Sequence, residues 1–78
     1  MSSNTEALAL SITTDLYIYT VCTPGSFVMA DVIAKRLRLT DDAAADAAIR
    51  HAVESGWLEA EGQKIRPTDE GTRRAVEY

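Results

Sequence analysis

Six of the ten residues from Ala43 to Ala52 are alanine. Alanine has the highest helix propensity because it loses no side-chain entropy on ordering and brings no competing polar group. The ends of this run are marked as well. Thr40 is a good N-cap, and Asp41 and Asp42 put carboxylates in the first turn, where the helix dipole favours them. Ser55-Gly56 then supplies a residue suited to a left-handed C-cap. The pattern predicts a helix over about 41–54 with Ala45, Ile49, Ala52 and Val53 as its buried stripe. Small residues fill little volume, so such a helix needs bulky partners from elsewhere in the chain.

A chain of 78 residues has length for one core, and folding would bury about 60% of its unfolded surface. Apolar residues at 46% and charged residues at 26% are ordinary for a globular domain. Residues 1–4 are polar and expected to be disordered, leaving 5–78 as a single domain. No apolar run approaches the ~18 residues of a membrane span, so no membrane partner is expected. The start of the chain lacks the basic segment of a signal peptide. One cysteine, Cys22, cannot form an internal disulfide and fits a reducing, cytoplasmic setting. One histidine, His51, makes no zinc-ligand pattern with it, so neither metal nor cofactor is expected.

Around the alanine-rich helix the other elements follow from period and punctuation. Leu8, Ile12, Leu16 and Tyr19 recur at helical spacing between Thr5 and Cys22, with Leu10, Tyr17 and Val21 widening the stripe. The aromatic and β-branched run from Leu16 to Val21 would also suit a buried strand, but its length before Pro24-Gly25 favours a helix. Phe27-Val28 could form a short strand. Ala30 to Leu37 reads as a second helix, with Lys35, Arg36 and Arg38 solvated at its end. Trp57–Ala60 and Lys64–Arg66 are strand candidates joined by a tight turn at Glu61-Gly62-Gln63. Thr68 can cap a last helix opening with Asp69-Glu70, while Gly71 reads as punctuation near the chain's end. Ala75, with Val76 or Tyr78, would pack back onto the body. The core is expected where Leu16 meets Ile33, Leu37, Ile49, Val53, Leu58 and Ile65.

The fold class is therefore mainly α with a small β-hairpin, in the order α-α-α-β-β-α. This order, with a short link at Arg38-Leu39-Thr40, resembles the winged helix-turn-helix domains of MarR-like and PadR-like regulators. Residues Asp31 to Thr40 look like that family's second helix and turn. Ile49 to Glu59 look like the end of its recognition helix and first wing strand, and Ile65 to Gly71 like its second wing strand entering the closing helix. The resemblance covers about residues 8–77. Two positions depart from it: Arg38 stands where the turn usually has glycine, and Met29 where a Ser or Thr cap is usual.

The resemblance implies a DNA-binding transcriptional regulator. Lys64 and Arg66 flank the inward Ile65 and so share the outer face of a strand. With Arg38, Arg50 and Gln63 they would form a modest phosphate-binding strip. The net charge of −4 makes any duplex DNA binding weak. The presumed recognition helix also exposes Asp42, Ala43, Asp46, Ala47, Arg50 and Glu54, whereas base reading favours Arg, Lys, Asn, Gln, Ser or Thr. The alternative is a winged-helix protein-interaction module that meets a basic protein partner through Asp42, Asp46 and Glu54. On either reading Asp41 and Asp42 also serve the helix dipole. Regulators of this kind are commonly dimers, and Leu8, Leu10, Val76 and Tyr78 are the candidates for a homodimer contact. His51 and Asp15 read as structural, Cys22 as a small core filler and Trp57 as core packing. Arg73 and Arg74 read as solvent-facing. No nucleophile–base pair, phosphate-cradling loop or paired carboxylate site is recognisable, so the chain reads as a non-enzyme.

Overall fold

The computed structural model describes residues 2–21, 23 and 26–77. Among these residues, four helices pack with a small three-stranded antiparallel sheet: α1 (Ser2–Tyr19), β1 (Val28–Met29), α2 (Ala30–Arg36), α3 (Asp42–Glu54), β2 (Leu58–Glu61), β3 (Lys64–Pro67) and α4 (Asp69–Glu77). The expected Pro24-Gly25 turn, the packing of Cys22 and the role of Tyr78 lie outside the described residues.

Helix α1 resolves the helix-or-strand ambiguity of its second half in favour of helix, and it packs chiefly on α3 and then α4. It opens before the expected Thr5 and closes before Cys22. Its buried face is turned from the expected stripe. Ile12 and Leu16 are buried as anticipated, but Ala9, Thr13 and Thr20 join them, whereas Tyr19 is exposed. The buried hydroxyls are satisfied locally: Thr13 donates to the Ala9 carbonyl and Thr20 to the Leu16 carbonyl, both at 2.8 Å. A threonine that returns its proton to the preceding turn can face the core without an unpaired group.

Helix α3 begins one residue later than Thr40 would allow. Asp41 is the N-cap, its carboxylate accepting from the Ala43 and Ala44 amides at 3.1 and 3.2 Å. The buried stripe is Ala45, Ala48 and Ala52. Ile49 and Val53, like Leu37, are half-buried at the edge of the core. The bulk comes from Ile12, Leu16, Ile33, Trp57, Leu58 and Ile65, which gather with Ala9, Ala48 and Ala52 in one cluster.

Helices α2 and α3 end in the same way. After α2, the Leu39 amide reaches the Ala34 carbonyl and the Arg38 amide reaches Lys35, at 2.9 and 3.1 Å. After α3, the Trp57 amide reaches Ala52 and the Gly56 amide reaches Val53, at 2.9 and 3.0 Å. Both are Schellman closures, and each needs a left-handed residue. Gly56 supplies it at φ 84° without strain, and Arg38 supplies it at φ 58° despite its Cβ.

The sheet order is β1-β3-β2, so β3 is central. The expected strand at 27–28 lies one residue on, with Val28 opposite Ile65 and Met29 opposite Lys64. A two-residue turn joins β2 to β3. Gly62 has positive φ and Gln63 does not, as in a type II′ turn. The Ala30 amide donates to the Gln63 carbonyl at 2.9 Å and ties this turn to the start of α2.

Helix α4 is capped by Thr68, whose hydroxyl accepts from the Gly71 amide at 3.0 Å and donates to the Gly56 carbonyl. Gly71 is buried inside this helix, so it is a contact residue rather than an end marker. A Cβ there would stand 1.9 Å from the Trp57 carbonyl oxygen. Val76, expected to pack inward, is 65% exposed.

Gly71→Ala should destabilise the fold by about 1–3 kcal/mol or more, as overpacking against backbone does. Arg38→Gly should stabilise it by roughly 0.5 kcal/mol, relief of left-handed strain outweighing the extra freedom of an unfolded glycine. Urea denaturation of the two variants beside the wild type measures both, and a neutral Gly71→Ala would contradict the close approach of α4.

Candidate functional site

Carboxylates, not cations, dominate the exposed side of α3. Asp42, Ala43, Ala44, Asp46, Ala47 and Arg50 are all exposed. Between α2, α3 and the hairpin turn lies a groove of about 370 Å³. Ala34, Ile49 and Ala60 contribute accessible apolar surface to it, the buried Ala45 and Ile65 complete its apolar lining, and Asp31, Asp42 and Asp46 are its charged residues. Asp42 and Asp46 stand one turn apart on α3, and Asp31 comes from the first turn of α2. Sequence reasoning missed Asp31, because only the packing of α2 beside α3 brings it to the groove. Glu54 does not border it: twelve residues of helix place it about 18 Å along α3 from Asp42.

The four basic residues expected to form a phosphate strip come from the α2–α3 turn, α3 and β3, and two of them are engaged by carboxylates. Arg66 donates to Glu59 at 2.8 Å, and its guanidinium lies 5.0 Å from the Phe27 ring centroid. Arg50 pairs with Asp46 at 3.3 Å. Lys64 does share the outer face of β3 with Arg66, but Glu61 and Glu59 stand directly opposite them on β2. That face therefore carries two bases and two acids. Among the described residues, Arg38 and Lys64 are the two of these four cations without an ion pair. Arg38 is exposed in the α2–α3 turn. Gln63 borders the acidic groove, its carbonyl held by Ala30. Since β3 is paired on both sides and the turn has two residues, the hairpin offers little that projects beyond the sheet.

Other charged residues serve the fold. Arg36, expected to be solvated, reaches across to α1 and donates to both Asp15 oxygens at 2.8 and 3.2 Å. The hydrogen bond to Asp15 raises its pKa above the ordinary arginine value; burial opposes the shift, and the charges of Asp15 and Tyr19 add to it. Its guanidinium also covers Tyr19 at 4.9 Å. Arg73 pairs with Glu70 on the exposed side of α4. Arg74 is not free in solvent but lies 5.3 Å from the Trp57 ring centroid, and His51 meets the same ring edge-on at 5.9 Å. A larger cleft of about 700 Å³ lies between the end of α1, the base of the hairpin and the start of α4. Its charges are mixed, and Glu59 and Arg66 there already satisfy each other.

Comparison with family models, with curated proteins and with solved structures finds no match. Among the described residues, no helix is long and apolar enough to cross a membrane.

Glu59→Gln removes the carboxylate partner of Arg66 while keeping the shape of the side chain. Because both partners are partly exposed, the loss should be under about 1 kcal/mol. A urea midpoint falling much further would mean that this pair supports the sheet.

Proposed function

We propose that this chain is a small winged-helix module whose α3 face docks a basic protein partner. The element order, the short α2–α3 link and the hairpin before α4 support the winged-helix part of this reading. The observation that carries the functional part is the sign of the charge on α3. The half of the helix that would enter a DNA major groove carries Asp41, Asp42 and Asp46, and Arg50 on the same helix is bound to Asp46. Phosphates would meet like charge there, and base edges would meet alanine methyls. A partner rich in Lys and Arg would meet complementary charge, which favours encounter and register.

A second reading, a weak DNA-binding regulator, keeps one specific support: Arg38 and Lys64 are exposed and carry no ion pair among the described residues. With Arg50 and Arg66 released from their carboxylates, it would make three or four phosphate contacts. Its log K would then fall against log salt with a slope of about −3 to −4.

Titration of random duplex DNA at low and moderate salt separates the two. Docking predicts no binding at low salt for the wild type. Salt-dependent binding with that slope, strengthened by Asp42→Asn with Asp46→Asn and weakened by Arg66→Ala on every sequence alike, would establish the DNA reading instead. A basic protein captured from native extract, then purified and titrated, should lose affinity for the same Asp-to-Asn double variant.

A further inference from the structure

We infer that the groove between α2, α3 and the hairpin turn is a receptor for an arginine side chain carried on a basic protein segment. This rests on the docking reading and names what the partner inserts. The groove, at about 370 Å³, falls within the ~300–1,000 Å³ of ordinary ligand clefts. Its apolar residues Ala34, Ala45, Ile49, Ala60 and Ile65 accompany charged residues of one sign, Asp31, Asp42 and Asp46; among the described residues no basic side chain is part of the lining, and Lys35 and Arg50 pair with Asp31 and Asp46 from outside it.

Apolar surface beside carboxylates matches an amphipathic cation. The aliphatic stem lies on apolar surface while the charged head meets the carboxylates at the edge of water. The apolar surface alone would take any aliphatic group, and the carboxylates alone would take any cation. Together they select a long basic side chain. Arginine fits better than lysine because the carboxylates come from two elements. A planar guanidinium presents five donors in a fixed fork, whereas an ammonium is a compact point charge.

Two of the groove's three carboxylates already hold an exposed cation, which an incoming side chain would have to displace. Asp31 pairs with Lys35 and Asp46 with Arg50, each at 3.3 Å and each with both side chains more than two-thirds exposed. Such pairs contribute little and exchange readily. Asp42 has no ion pair among the described residues. The small side chains of Ala34, Ala45 and Ala60 leave room for the incoming stem.

The test is an amide-resolved NMR titration of the whole chain with the peptide acetyl-Gly-Ala-Arg-Ala-Arg-Ala-Gly-amide. The control peptide carries citrulline, an uncharged isostere, in place of each arginine. The expected result is saturable shifts at Ala34, Ile49, Ala60 and Gln63 with the arginine peptide and none with citrulline. Asp42→Asn with Asp46→Asn should weaken binding by about tenfold or more, the loss that accompanies a charged hydrogen bond. Asp31→Asn should weaken it too. Ala60→Leu fills the groove from an exposed position and keeps every charge, and it should abolish the shifts; unchanged signals from Ala9 and Leu16 would verify its fold.

Equal binding of the citrulline peptide overturns the proposal, as does an absence of saturable shifts. Shifts spread evenly over Asp69, Glu70 and the groove do the same. If the α3 double variant loses binding while Ala60→Leu binds as the wild type does, α3 remains a docking face and the groove as the arginine seat fails. If the wild type binds duplex DNA and not the peptide, the docking reading fails with it.

Discussion

The contact between α1 and the inner face of α3 sets the positions of the other elements. Ala45, Ala48 and Ala52 lose no rotamer freedom on burial but supply little volume. The space must be filled from outside α3, and Ile12 and Leu16 of α1 do so together with Ile33, Leu58 and Ile65. Large residues facing small ones let layers interdigitate at native density. α2 and the hairpin then pack around the same cluster, and α4 closes it by laying Gly71 on the backbone of Trp57.

Local signals in the chain are legible, and non-local ones are not. The alanine run, the Gly56 closure, the Gly62 turn and the Thr68 cap each act within a few residues, and each appears close to where propensity places it. The face of α1 is harder to read, because Thr13 and Thr20 look polar in sequence and become core residues once their hydroxyls turn back on the helix. Gly71 looks like punctuation, since nothing near it in sequence reveals the carbonyl it rests on. Among the candidate site residues, the alternation of Lys64 and Arg66 on one face could be read directly. The Glu59–Arg66 pair depends on the strand register, and Asp31 reaches the groove only through tertiary packing.

Charge on this molecule is mostly balanced over short distances. Arg50, Lys35 and Arg73 are each engaged by a carboxylate within one helical turn, and Arg66 by one across the hairpin. The net charge of −4 is thus not offset by a separate field of free cations on the α3 side. What a passing macromolecule meets there is a set of small apolar side chains beside carboxylates. That combination favours a partner with both greasy and cationic parts over a uniform polyanion.

The single tryptophan of the chain stands where α3, the sheet and α4 come together. Its ring is almost buried, with the Arg74 guanidinium over it and His51 at its edge, while its carbonyl accepts from Thr68 and lies against Gly71. The indole therefore reads the docking of α4 through Arg74, while the backbone of the same residue holds the start of that helix. Peeling of that helix alone would wet the ring and shift its emission while α1 and α3 kept their far-ultraviolet signal. The molecule carries a built-in optical gauge that separates partial opening at the C-terminal helix from collapse of the whole domain.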